Sequence, residues 1–175
     1  MLKKLALIIA FAGLLPVGAS AHGPSRQKVT ETVEINAPAD KVWAAVGNFQ
    51  DMGWTGIATK TEGTGDNGPG AKRTLTVPNG KLEENLLKYN AEGKSYSYEL
   101  PKSDPKALPV SNYSSTITVT GDAAKSKVEW KGAFYRSYVN NDPPPEESDE
   151  AALKAVTGLY QAALANLKKK LEGGS

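Results

Sequence analysis

The chain contains no cysteine and a single histidine, His22. The first absence excludes disulfides, thiolate zinc and iron–sulfur sites, thiol nucleophiles and lipid attachment through sulfur. The second excludes sites built on two imidazole ligands and leaves no histidine for a buried triad. Charge of one sign is also scarce: 21 Lys and Arg stand against 19 Asp and Glu, a net charge of +2. That balance lacks the concentrated basic face that holds nucleic acid. The apolar run Leu5 to Leu15 is shorter than the roughly 20 residues a membrane-spanning helix needs. What is present is 175 residues, 39% hydrophobic and 23% charged, enough for one globular domain with a core of its own.

The beginning of the chain reads as an address. Lys3 and Lys4 precede the apolar run, Pro16 breaks it, and Ala19-Ser20-Ala21 supplies the small residues of a cleavage site. This is the pattern of a secretory signal peptide over residues 1–21, followed by one domain over residues 22–175. Those two lysines are the whole surplus of base over acid, so the exported domain is neutral by count. Export of a cysteine-free chain fits a bacterial periplasm, and no membrane association is expected after cleavage. His22 at a new N-terminus is one weak copper ligand, and no second histidine completes a site. No metal site and no cofactor are expected.

Beyond the leader the grammar is mostly β. Val29, Glu31, Val33 and Ile35 alternate with polar residues as a strand. Asn36 to Asp40 turns into a short helix carrying Val42, Trp43 and Val46, ended by Gly47. A second helical turn is expected between Phe49 and Trp54. A short strand over Ile57 to Thr61 and a mobile Gly-rich loop over Glu62 to Gly70 follow. Arg73, Leu75 and Val77 share a face. Asn79-Gly80 signals a type I′ hairpin, with Leu82, Glu84 and Leu86 on the returning strand. Tyr96, Tyr98 and Leu100 alternate next, Pro101 to Pro109 reads as a long connection, and two further strands carry Tyr113 to Val119 and Val128 to Phe134. After Pro143 to Pro145, Ser148 or Asp149 caps a long helix with an apolar stripe of Leu153, Val156, Leu159, Tyr160, Ala163, Leu164, Leu167 and Leu171. The expected class is α+β: a curved antiparallel sheet of about seven strands covered by one long C-terminal helix.

This order resembles the helix-grip fold of the START/Bet v 1-like superfamily, in its polyketide cyclase/dehydrase-like branch. The residues that carry the resemblance are Val33 to Trp43, Trp54, Gly80 with Glu84 and Leu86, Tyr96-Ser97-Tyr98, Pro109-Val110 with Asn112-Tyr113, and Trp130. Longer strings are similar to the MxaD family of small periplasmic proteins: His22 to Glu31, Gly47 to Met52, Gly132 to Arg136, and Asn140 to Pro145. That resemblance implies an accessory role in methanol oxidation, with methanol dehydrogenase or its cytochrome c as partner, and no turnover of methanol by the chain itself.

Two candidate sites follow. Phase with the apolar residues turns Arg73 and Glu84 toward the core as diagonal neighbours, either orienting a ligand or pairing structurally. Trp54, at the mouth or in the core, and Tyr96, Tyr98, Tyr113, Trp130 and Phe134 would line the same space, which suits a small hydrophobic ligand and suits an ordinary core. Glu84 is the best placed general base for a cyclase-like reaction, but an Arg73 partner would lower its pKa. No catalytic residue is assigned. The second candidate is an acidic surface of Asp142, Glu146, Glu147, Asp149 and Glu150, suited to docking a basic partner or to capping the helix. A monomer is expected.

Overall fold

The computed structural model describes residues 23–173; the expected leader and cleavage site, His22, Gly174 and Ser175 lie outside them. Strand β1 spans Gln27–Ile35 and helix α1 Ala39–Val46, followed by a 3₁₀ turn at Gly53–Thr55. Strands β2 (Lys60–Thr64), β3 (Lys72–Val77), β4 (Gly80–Asn90), β5 (Ser95–Ser103), β6 (Val110–Gly121) and β7 (Ser126–Arg136) follow. A 3₁₀ turn at Pro145–Glu147 leads into helix α2, Asp149–Glu172. All seven strands form one antiparallel sheet in the order β1-β7-β6-β5-β4-β3-β2. Helix α2 crosses its inner face, packing on β1, β7 and the Gly53–Thr55 turn. This is the expected helix-grip fold. No helix among the described residues is long and apolar enough to cross a membrane.

Alternation sets the layers. In β6, Tyr113, Ser115, Ile117 and Val119 are buried while their neighbours are half-buried or exposed, as a sheet with one covered face requires. Val110 and Tyr113 both point inward although three positions apart. A bulge between Ser111 and Ser114, with Asn112 at φ 46°, supplies the extra residue that makes this possible. In α2, Ala152, Val156, Tyr160, Ala163, Leu164 and Leu167 are buried. The Ser148 hydroxyl caps the helix by accepting from the Ala151 N–H at 3.1 Å.

Several local expectations are corrected. The strand expected at Ile57 is displaced to Lys60–Thr64, because Gly56 turns left-handed at φ 68° and sends Ile57 and Ala58 toward the interior. The Gly-rich loop begins as strand β2, and its remainder is stapled. Gln50 donates to the Thr64 and Asp66 carbonyls, and the Phe49 N–H donates to Asn67 Oδ1 at 2.7 Å. The β3–β4 hairpin turns at Pro78-Asn79, since Val77 pairs with Gly80. Pro78 fixes a negative φ at the first loop position, which a type I′ turn cannot accept. Strand β5 runs on to Ser103, into what read as connection. Leu153, placed in the apolar stripe, is exposed.

Candidate functional site

A row of polar side chains crosses the inner face of the sheet, from β3 to β7. Arg73 on β3 and Glu84 on β4 are directly opposite one another rather than diagonal. The Arg73 Nε donates to Glu84 Oε2 at 2.5 Å, and its Nη1 donates to the Phe49 carbonyl at 2.7 Å. The guanidinium lies 4.2 Å from the Phe49 ring centre and 4.8 Å from that of Tyr98, positions in which ring faces stabilise a cation. Arg73 Nη2 and the Tyr96 hydroxyl are buried without a partner among the described residues. Burial works against the Arg73 charge, but Glu84, Tyr96 and Tyr98 together outweigh it and the guanidinium is held above its ordinary range. For Glu84, burial acts first and raises the carboxyl, with Arg73 pulling it back only in part. This corrects the expectation of a lowered pKa: a carboxylate that loses its water loses more than one neighbour returns.

At the β6–β7 side the polar groups are neutral and densely paired. Ser115 Oγ donates to the Lys131 carbonyl at 2.7 Å and accepts from Trp130 Nε1 at 2.7 Å. Tyr160, reaching down from α2, lies 2.8 Å from Ser115 Oγ and 2.6 Å from the Tyr113 hydroxyl, which is 3.4 Å from that of Tyr98. The Tyr160 ring stacks on Trp130 at 4.3 Å. Gly132, opposite Ser115 in the ladder, makes this approach possible, because a Cβ there would sit 2.3 Å from Tyr160 Oη. Burial raises the Tyr98 and Tyr113 phenols well above 10 and raises Tyr160 as well.

Between the two sides lies a cavity of about 30 Å³ whose walls include Glu84, Tyr98, Tyr113, Trp130 and Thr55. The structure therefore brings four of the candidate residues to it. Trp54, Arg73, Tyr96 and Phe134 are buried but lie outside its lining. Trp54 is in the core rather than at a mouth: its ring packs on Trp130 at 5.5 Å, and its carbonyl accepts from Asn166 at 2.9 Å. Leu159 on α2 faces both this cavity and an outer groove of about 970 Å³, formed by Pro105 and Pro109 against Ala151, Ala155 and Gly158.

The acidic surface divides. Arg136, buried at the end of β7, donates to Asp149 Oδ2 at 3.0 Å and to the Tyr138 and Asn140 carbonyls. Glu147 accepts from Ser137 at 2.7 Å. Asp149 and Glu147 are thus engaged within the fold, while Asp142, Glu146 and Glu150 are exposed. Among the described residues no cluster of three or more His, Cys, Asp or Glu has the geometry of a metal site.

Residues 26–172 match the family described as polyketide cyclase / dehydrase and lipid transport. The chain belongs to that family. Solved structures with the same polyketide cyclase-like architecture include an uncharacterised protein of Bacillus thuringiensis, 28% identical, covering 83% of this chain and 99% of that one at a TM-score of 0.70. XoxI of Bacillus cereus is also 28% identical, covering 83% of this chain and 95% of its own at 0.70. The ZhuI aromatase/cyclase of Streptomyces shares the fold at 20% identity and a TM-score of 0.69, over 85% of this chain and 94% of its own. No curated protein matches the sequence.

Against this polyketide cyclase-like frame, sequence reasoning missed Ser115, Thr55, Gly132, Tyr160 and Arg136. A signal existed for three of them. Ser115 and Gly132 fall on inward phases of β6 and β7, and Tyr160 is a phenol inside an apolar stripe; a buried hydroxyl needs a partner and a residue that makes room for it.

Proposed function

We propose that the chain is a non-catalytic accessory protein of methanol oxidation in the periplasm, acting by contact with methanol dehydrogenase or its cytochrome c. The observation that carries the non-catalytic part is how little of the grip is empty. Tyr96, Tyr98, Tyr113, Trp130, Phe134 and Tyr160 fill the space between sheet and helix, leaving about 30 Å³. A polycyclic substrate does not fit there, and the one carboxylate at the cavity is bonded to Arg73. The contact part is supported by exposed Asp142, Glu146 and Glu150 on a segment that Arg136 holds in place. A pre-ordered acidic patch steers a basic partner at little entropic cost. The link to methanol rests on the MxaD-like strings His22 to Glu31, Gly47 to Met52, Gly132 to Arg136 and Asn140 to Pro145.

The test measures dye-linked methanol oxidation and cytochrome c reduction with and without the protein, alongside its recovery in the periplasmic fraction. The expected outcome is a faster or more salt-tolerant cytochrome c reduction, weakened by Glu146→Lys with Glu150→Lys. No change in either rate, together with no binding to dehydrogenase or cytochrome, rejects the proposal. A second reading, a carrier of a small hydrophobic ligand, is favoured by the meeting of cavity and groove at Leu159.

A further inference from the structure

Three large apolar side chains are exposed among the described residues: Leu87 on β4, Val139 after β7, and Leu153 on α2. Val139, 63% exposed, is the most open of them. One guanidinium sets its position. Arg136 donates to the Tyr138 carbonyl at 2.8 Å, to the Asn140 carbonyl at 2.9 Å and to Asp149 Oδ2 at 3.0 Å. The two carbonyls flank Val139, so the side chain that fixes its backbone also holds the first turn of α2. Leu153 follows Asp149 by four residues, one turn further along the same side of the helix. Val139 and Leu153 therefore stand on one flank of the molecule, at the junction of β7 and α2.

The rim around this pair is acidic. Asp142, Glu146 and Glu150 are exposed, and none of them makes an ion pair among the described residues. Glu150 precedes Leu153 by three positions and is its neighbour on the helix surface. No base lies between Arg136 and Lys154 in the sequence, and Arg136 is already spent on Asp149 and the two carbonyls. Leu87 has no such rim: the polar side chains of its groove are neutral or basic, Ser97, Ser114, Thr116, Lys28 and Lys131. An apolar centre inside a charged rim, held rigid before contact, is the anatomy of a protein interface hot spot. We propose that Val139 and Leu153 anchor a docking surface for a protein whose own contact face carries lysine or arginine around an apolar centre. The acids guide the approach, and the two apolar side chains hold the complex once water is excluded. This rests on the reading of the chain as an accessory protein that acts by contact, and it names the groups that make the contact.

Surface plasmon resonance at low and at high salt tests it, with methanol dehydrogenase, its cytochrome c and polylysine as probes. Val139→Ser should weaken binding of the dehydrogenase or the cytochrome about five-fold, and Val139→Ser with Leu153→Ser about twenty-fold, at both salt concentrations. Both positions are exposed, so the variants keep the fold. Asp142→Asn with Glu150→Gln should weaken binding at low salt only, through the association rate. Polylysine, which has charge and no apolar centre, should respond to the second pair of substitutions and not to the first. If the dehydrogenase or the cytochrome binds the serine variants as well as the parent, the contact is electrostatic only; the proposal is overturned and the accessory reading stands. If neither protein binds, the accessory reading fails. A mitochondrial-type cytochrome c, whose lysines surround an apolar haem edge, then decides the surface by itself: binding weakened by Val139→Ser upholds it, and no binding overturns it. A dimer of the chain in sedimentation that Val139→Ser dissociates would assign the surface to a second copy, and would also overturn the proposal.

Discussion

At the β3–β4 side of the interior the fold buries a full ion pair, Arg73 with Glu84; midway along β6 and β7 it buries the neutral network of Ser115, Tyr113, Tyr160 and Trp130. The charged side is incompletely satisfied, with Arg73 Nη2 and the Tyr96 hydroxyl unpartnered. On the neutral side every hydroxyl has a partner. The difference follows from geometry. A guanidinium carries five N–H groups in a rigid fork, and one carboxylate oxygen, one carbonyl and three ring faces do not use them all. A hydroxyl has one hydrogen and turns to meet its acceptor, so a row of them closes with nothing left over. The charged side fixes position by force of charge, at the risk of stranding a charge. The neutral side fixes position by complementarity and carries less energy per contact.

The largest expected effect comes from breaking the charged side. Arg73→Met leaves Glu84 buried without its partner, and stability measured by urea unfolding should fall by about 3–5 kcal/mol. The double variant Arg73→Met with Glu84→Leu removes both charges and should regain most of that loss. A double variant as unstable as the single one would show that the stranded carboxylate is not the source of the cost, and that Arg73 acts mainly through its packing on Phe49 and Tyr98.

The neutral side breaks at Gly132. An alanine Cβ there would meet Tyr160 Oη at 2.3 Å, so Gly132→Ala should cost about 1–3 kcal/mol as an overpacked core position. Tyr160→Phe alone should cost about 1–3 kcal/mol, because Tyr113 loses the acceptor for its hydrogen. Together the two should cost less than their sum, since the phenylalanine lacks the atom that clashes. Additive losses in a double-mutant cycle would separate Gly132 from the network.

Much of this was legible in the sequence, and the limits are physical. Period-2 alternation placed Arg73, Glu84, Tyr98, Tyr113 and Trp130 on the inner face, and Ser148 or Asp149 announced the α2 cap, which Ser148 makes, because both depend on residues close in sequence. The bulge at Asn112 was not legible: one extra residue in a ladder leaves no periodic trace until its partner strand is known. Nor was the pairing of Ser115 with Tyr160, 45 positions apart, since only the docking of α2 on the sheet brings them together. Residue types named Glu84 as a cavity candidate but misjudged its pKa, because burial depends on every neighbour while a salt bridge depends on one. The acidic run Asp142 to Glu150 looked uniform, and only the position of Arg136 separates its engaged members from its exposed ones.

The smallest effect sharpens the comparison without mutation. Of the seven tyrosines, Tyr98 and Tyr113 are raised well above 10 by burial, with neighbouring negative and phenolic groups adding to it. Tyr96 is also raised by burial, but Arg73 pulls it back. Each phenol has a higher pKa folded than unfolded, so the folded chain holds protons that the unfolded chain releases. Stability is therefore full below about pH 10 and falls as pH rises above it. Absorbance at 295 nm should show an intermediate step in which Tyr96 ionises ahead of Tyr98 and Tyr113, which are released only as the fold opens. In Tyr96→Phe the intermediate step should vanish while the last, cooperative one persists. If Tyr96 instead ionises with Tyr98 and Tyr113 in a single step, Arg73 does not reach its hydroxyl, and the charged and neutral sides of the interior titrate as one.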